Sequence, residues 1–378
     1  MSERMQFLTR LRAGERMADL CREYGISEKT GYKFKARYEQ LGVPGLVDQP
    51  RVPKRIPHRT ARAVIELLIE ERKRHPTWGG RKLKAHIEQK HPEIALPSPS
   101  AIAQWMKREG LVQPRRRRSA FPRASTGLTE ATGPNEVWCT DFKGEFRLGN
   151  SKYCYPLTIT DLFSRFLIAC EARGSVGAEG AFEVFECAFR SYGLPSIIRS
   201  DNGTPFASTA LARLSKLSAW WMRLGIRPER IEPAHPEQNG QHERMHRTLK
   251  RETTRPAGQN ELEQQERFDR FVEEYNQERP HEALDLKPPA TAYEPSMRPF
   301  PAKLPEPAYP LHDDVLIVKA GGHLSLHGRG NQYFLSLALA GHPVGIREED
   351  DGRILVSFMN LDLVRINTRS RQIEPVEA

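Results

Sequence analysis

Through the first hundred residues the apolar positions recur at helical spacing, and from residue 136 they change to short runs at strand spacing. Met17–Tyr24 is amphipathic, Gly25 and Ile26 make a turn, and Ser27 is a good N-cap for a second helix over Glu28–Gln40. Helix, glycine-containing turn and capped helix predict a helix-turn-helix. Lys29, Thr30 and Lys33 lie in the early turns of the second helix, where such folds contact bases and phosphates. Tyr32 and Phe34 are expected to pack inside. A basic, proline-rich linker over 50–57 leads to a second helical unit, with helices expected over Thr60–Arg74, Gly80–Lys90 and Ser98–Glu109. Ser98 or Ser100 is the candidate cap of the last helix, and Gly110 its stop.

The second half reads differently. Strands are expected over Glu136–Leu148, Lys152–Asp161 and Arg165–Ala172, then a helix over Gly180–Tyr192, a strand over Ser196–Ser200 and a helix over Thr209–Leu224. A strand over Pro228–Glu232 and helices over Gly240–Arg255 and Leu262–Arg279 follow. Three strands, helix, strand, helix, strand, helices is the order of a mixed α/β sheet covered by helices. The segment 288–310 is dense in proline and reads as a linker. Beyond it, short strands separated by turns such as Gly328–Asn331 and Asp350–Gly352 predict a small β-barrel of about sixty residues. The fold class is therefore multidomain: all-α helix-turn-helix modules, an α/β core and a C-terminal barrel, with boundaries expected at 1–50, 58–118, 130–295 and 311–372.

Charge sharpens this division. Residues 1–135 carry 28 Lys and Arg against 14 Asp and Glu, whereas the remaining residues carry 30 against 34. A basic front third points to a polyanion partner, and double-stranded DNA fits the helical modules. Arg115, Arg116, Arg117 and Arg118 form a charge run between those modules and the core, suited to tracking phosphates. The five cysteines form no C-x-x-C pair, which argues against a disulfide framework and against a structural zinc site. No apolar run approaches the roughly 18 residues of a membrane span, and Met1-Ser-Glu-Arg is no signal peptide. A cytoplasmic protein with no membrane partner is expected.

Three acids stand in unlike settings. Asp141 interrupts an apolar strand, where a lone carboxylate is costly to desolvate unless paired or bound to metal. Asp201 follows Ile197-Ile198 at a strand's carboxyl end, where open α/β sheets place ligands. Glu243 lies in the first turn of the helix opened by Asn239-Gly240. Arg247 and Lys250, four and seven residues on, share its helix face and would point to DNA. His242 and His246 are expected on the surface.

These acids fall inside the motifs W-x-x-D-F (138–142), S-D-N-G-x-x-F (200–206) and H-P-x-x-N-G-x-x-E-R-x-H-R-T-L-K (235–250). Over residues 130–295 the chain resembles the DDE transposases and retroviral integrases, whose catalytic fold is ribonuclease-H-like. The helical modules resemble those of bacterial insertion-sequence transposases, and the tail resembles the small barrels of integrase-like recombinases. The resemblance implies that Asp141, Asp201 and Glu243 are the metal-binding catalytic triad, with two Mg²⁺ or Mn²⁺ ions per site. It makes Asp161 and Glu237 decoys. It further implies binding of element ends and target DNA by a dimer or tetramer, followed by cleavage and strand transfer. One departure is the 41 residues between Asp201 and Glu243, longer than is common among integrases and expected in a longer helix around Leu217–Met222. A plain nuclease on the same fold and a DNA-binding regulator derived from a transposase are the competing readings. No G-x-x-x-x-G-K-[ST] loop is present, so any ATP dependence would come from another protein.

Overall fold

The computed structural model describes residues 3–48, 60–112, 127–142, 144–208, 213–232, 235–326, 332–349 and 352–376. The chain divides into two compact units, Met1–Thr60 and Ala61–Ala378.

The first unit holds α1 (Glu3–Arg12), α2 (Met17–Glu23) and α3 (Glu28–Leu41), followed by a short 3₁₀ turn. Ser27 caps α3 as its sequence implies, its hydroxyl accepting the Thr30 N–H at 3.3 Å. The core is Phe7, Leu8, Leu20, Cys21 and Leu46. Gly31 lets α3 lie against it: a Cβ there would stand 2.7 Å from both Cys21 Sγ and Met17 Sδ. Phe34 packs on this core, but Tyr32 is 55% exposed, contrary to its expected packing role. It follows Gly31 around the helix to the solvent side, between the exposed Lys29 and Lys33.

The second unit opens with α4 (Arg62–Arg74), α5 (Gly80–Lys90) and α6 (Pro99–Arg108), packed around Leu68, Trp78, Leu83, Ile87, Ile102 and Met106. Ser98, not Ser100, caps α6. The central sheet comprises β1 (Val137–Phe142), β4 (Leu157–Asp161), β5 (Leu167–Glu171), β6 (Ile197–Ser200) and β7 (Arg227–Arg230), in the order β5-β4-β1-β6-β7. β1 pairs antiparallel with β4 and parallel with β6, giving the expected mixed sheet. A two-stranded ladder of β2 (Phe146–Arg147) and β3 (Tyr153–Cys154) lies beside it, because the two long expected strands each break.

One face is covered by α7 (Ala178–Tyr192) and α8 (Lys216–Arg223), through Phe185, Phe189, Leu217 and Trp221. The opposite side takes α9 (Gly240–Thr253) and α10 (Glu261–Gln277), through Met245, Leu249, Phe268 and Phe271. The segment expected as a linker is a strap on the core. Tyr293 stacks on Phe166 with centroids 4.2 Å apart, and Asn135 Nδ2 donates to the Glu294 carbonyl at 2.7 Å. Proline there blocks regular structure without preventing apolar side chains from docking. α8 has only eight residues, so the added length between Asp201 and Glu243 is not a longer helix. Between β6 and α8 the chain loops, closed by a bridge between Ala207 and Leu214.

The C-terminal strands form an open sheet, β14-β13-β12-β11-β8 (β8 Asp314–Ile317, β11 Pro343–Glu349, β12 Arg353–Phe358, β13 Leu361–Asn367, β14 Gln372–Pro375). A hairpin of β9 (His323–Ser325) and β10 (Gln332–Phe334) accompanies it. Among the described residues β8 and β14 do not pair, so the expected barrel is not closed. Leu324 and Tyr333 of the hairpin, with Leu214 and Ala219 of the central domain, cover the apolar face that closure would otherwise bury. No described helix is long and apolar enough to cross a membrane.

Candidate active site

Asp141 lies near the end of β1 and Asp201 just past the end of β6, the strand beside it. β1 and β6 run parallel with Val137, Trp138 and Cys139 opposite Ile197, Ile198 and Arg199, each partner sixty positions later. Asp201 is also sixty positions after Asp141 and stands one residue beyond the end of β6, so both acids lie towards the same end of this parallel pair. Neighbouring strands lie about 4.8 Å apart. β1 is buried through Thr140 and emerges at Asp141, whose side chain is 28% exposed. The expectation of a desolvated mid-strand carboxylate is thereby corrected: Asp141 sits at the strand's wet end. Asp201 Oδ1 accepts the Gly203 N–H at 3.1 Å, and a Cβ at Gly203 would press on Oδ2 at 3.0 Å.

Glu243 arrives from the other direction. Its helix buries a stripe of His242, Met245, His246, Leu249 and Thr253, at helical spacing, against the sheet. The two histidines are not on the surface as expected; they are 2% and 4% exposed and fasten α9 to β4. His242 Nδ1 is 2.8 Å from Thr160 Oγ1 and its Nε2 2.8 Å from Thr158 Oγ1, while His246 Nε2 is 2.6 Å from that same Thr158 hydroxyl. Burial pushes the His242 pKa down to about 3, so the ring is neutral at ordinary pH. His246 Nδ1 also lies 3.6 Å from Asp141 Oδ2. Alternation of Thr158 and Thr160 along β4 was the sequence signal for this contact, since two hydroxyls on one buried sheet face need polar partners.

With the buried stripe fixed, Glu243, Arg247 and Lys250 fall on the exposed face. Asp141 and Glu243 line one cavity of about 440 Å³, together with Arg247, Lys250, Arg251 and Arg255. Asp201 does not line it. Next to it, sharing Arg247 and Arg251, lies a larger cleft of about 1110 Å³ between α9 and the second helical module, lined also by Arg81, Lys82, Arg165, Arg244 and Arg279. Burial, then the neighbouring Arg279 charge, pushes the Lys82 pKa down to about 8. Crowded cations of this kind are relieved by an anion. Of these cleft residues sequence reasoning found only Arg247, because the others come together from four separate segments.

In the first unit Lys29 and Lys33 are exposed on α3, and the Thr30 hydroxyl lies 2.9 Å from Ser27 Oγ. Arg115, Arg116, Arg117 and Arg118 lie outside the described residues, as does the Glu237 side chain. Asp161, the other decoy, is 1% exposed and structural, accepting the N–H groups of Asn135 and Ser164 at 2.8 Å and the Ser164 hydroxyl at 2.6 Å.

Two family models described as Integrase core domain match residues 131–236 and 224–289. A Homeodomain-like domain matches residues 30–106 and a Helix-turn-helix domain residues 3–54. The chain is 31% identical over 164 residues to an uncharacterized protein of insertion element IS136 from Agrobacterium fabrum, covering 41% of this chain and 80% of that one. It is 26% identical over 237 residues to an uncharacterized 39.2 kDa protein of insertion element IS476 from Xanthomonas euvesicatoria, covering 62% and 66%. It is 29% identical over 177 residues to the Gag-Pol polyprotein of baboon endogenous virus, covering 47% and 10%. The chain thus spans just under two thirds of the IS476 protein and a tenth of the viral polyprotein.

Proposed function

Because the chain belongs to the DDE transposase and integrase family, we propose that it is an insertion-sequence transposase that binds the ends of its element and joins them to target DNA. The observation that carries this reading is that Asp141 and Glu243 line one cavity, with Asp201 just past the end of β6, the parallel neighbour of the strand that carries Asp141. In this reading all three are catalytic.

The donor set fits Mg²⁺ or Mn²⁺: three carboxylates offering hard oxygen ligands, with cationic side chains ready for phosphates. Asp141, Asp201 and Glu243 would hold two such ions. Bound there, the metal supplies activation of the attacking hydroxyl and stabilisation of the leaving oxygen. The chain's own residues do the positioning. The Thr158 and Thr160 contacts to the two histidines fix the rotation of α9, and with it the direction of Glu243. Arg247 and Lys250 hold the phosphates flanking the scissile bond, and the basic cleft carries the duplex away from it. Lys29, Thr30, Lys33 and the exposed Tyr32 read the element end from α3, with residues 58–118 as a second contact and Arg115–Arg118 following the backbone between these modules and the core. Joining two ends calls for more than one subunit, a dimer or a tetramer, in the bacterial cytoplasm on the nucleoid.

The test is a strand-transfer assay with purified protein, Mg²⁺ or Mn²⁺, labelled element ends and a plasmid target, run beside Glu243→Gln. Joined products that vanish in the variant support the reading. End binding without cleavage would instead support a regulator, and cleavage of any DNA without joining a nuclease.

A further inference from the structure

A second cluster of metal-ligating side chains lies away from the carboxylate triad. Glu71 near the end of α4, His75 just beyond it and His86 on α5 are 6%, 7% and 2% exposed, and their ligand atoms lie within 4.8 Å of one another. Glu71 Oε2 is 3.7 Å from His75 Nε2 and 3.6 Å from His86 Nε2. These separations are too wide for hydrogen bonds. Neither Glu71 Oε2 nor His86 Nε2 has any hydrogen-bond partner, although both are buried. An unpaired buried polar atom is costly, so two aimed at one point call for an occupant.

The spacing says what occupant fits. Tetrahedral zinc with ligands at about 2.0–2.1 Å sets those ligands about 3.3–3.4 Å apart. A contraction of a few tenths of an ångström from 3.6–3.7 Å would therefore close the site. The surroundings match. His75 Nδ1 is 2.7 Å from Glu274 Oε1. A carboxylate only accepts, so Nδ1 carries the proton and Nε2 presents its lone pair to Glu71 and His86. Metal-bound histidines are held in this way by a carboxylate behind the ring. Glu278 Oε2 lies 3.8 Å from His86 Nε2 and is held by Lys90 at 3.2 Å, the carboxylate that could swing in as a fourth donor.

We propose that Glu71, His75 and His86, with Glu278 as the fourth ligand, form a structural zinc site that staples the second helical module to α10 of the catalytic domain. Two ligands come from α4 and its end, one from α5, and the outer carboxylate and fourth ligand from α10 and its end. The cysteine pattern argues only against cysteine sites; histidine and glutamate donors spread over 208 positions leave no compact motif.

The test uses tag-free, full-length protein. Zinc content by elemental analysis should be about one per chain, retained in Asp141→Asn, which separates this site from the carboxylate triad. Cobalt substitution of the wild type should give the visible absorption of a four-coordinate ion. Glu71→Gln should weaken zinc binding by at least about 100-fold, and Glu274→Gln, which removes no ligand, by about 10–100-fold. A wild-type protein that takes up neither zinc nor coloured cobalt would overturn the proposal, whether or not the variants fold. Folded Glu71→Gln and His86→Gln proteins binding zinc as tightly as wild type would overturn it equally.

Discussion

Replacing His242 by glutamine tests how the catalytic helix is held. His242 is 2% exposed and touches only threonine hydroxyls at its ring nitrogens, at 2.8 Å each. Its pKa in the folded protein is about 3, against an ordinary 6.5. Above pH 6.5 the ring is neutral both folded and unfolded, and its full contribution to stability is present. As the pH falls below 6.5 the unfolded chain takes up a proton that the folded chain refuses, and stability is lost until the pH approaches 3. One proton corresponds to about 1.4 kcal/mol per pH unit, and the unfolded ring is already half protonated at pH 6.5, so roughly 2.3 kcal/mol should go between pH 6.5 and 4.5 through this residue. His281, also buried and pushed down to about 3, adds a similar loss in both proteins and cancels in the comparison. Glutamine does not titrate and offers both a donor and an acceptor to Thr158 and Thr160. Urea unfolding at pH 6.5, 5.5 and 4.5 should show the variant losing roughly 2–3 kcal/mol less than wild type across that window, at unchanged m value. Equal losses in the two proteins would refute the reasoning, because His242 would then be protonated in the folded state.

Further outcomes are expected elsewhere. Charge reversal of Arg247 and Lys250 together should weaken DNA binding about equally for all sequences and make the slope of log K against log salt shallower by about 2, measured by fluorescence anisotropy. Arg199, 4% exposed, pairs with Glu229 at 2.7 Å. Arg199→Met should cost about 3–5 kcal/mol in denaturant unfolding, and adding Glu229→Gln should recover part of it. Gly193 has φ +76° and its Cβ position lies 2.8 Å from the carbonyls of Ser296 and Arg298. Gly193→Ala should therefore lower stability by more than about 2 kcal/mol and free the 294–300 strap to limited proteolysis.

The sequence carried the architecture well where local pattern and packing agree. The Ser27 cap, a serine cap for α6 at Ser98 or Ser100, α9 starting at Gly240 and the alternation of strands and helices in the central domain were legible because short-range chemistry decides them. That Asp141 and Asp201 lie on neighbouring parallel strands was not legible as geometry, since the motifs say nothing of β1 and β6 being adjacent. His242 and His246 were misread because a polar residue on a basic helix looks solvated; only the two threonines on β4 show otherwise. Tyr32 was misread in the opposite sense, an aromatic ring in a helix being expected inside. The barrel expectation failed because strand spacing fixes neither which edges meet nor what covers the open face. The Glu71, His75 and His86 cluster was invisible, for its donors lie on separate helices.

The central claim is that Asp141, Asp201 and Glu243 act together through metal. Anomalous diffraction from crystals of the protein grown with Mn²⁺ tests it most directly. Manganese peaks are expected in contact with the carboxylates of both Asp141 and Asp201, with Glu243 drawn in towards them and better ordered than in metal-free crystals. Absence of manganese between Asp141 and Asp201, with Glu243 identical and equally rigid in both crystals, would contradict it.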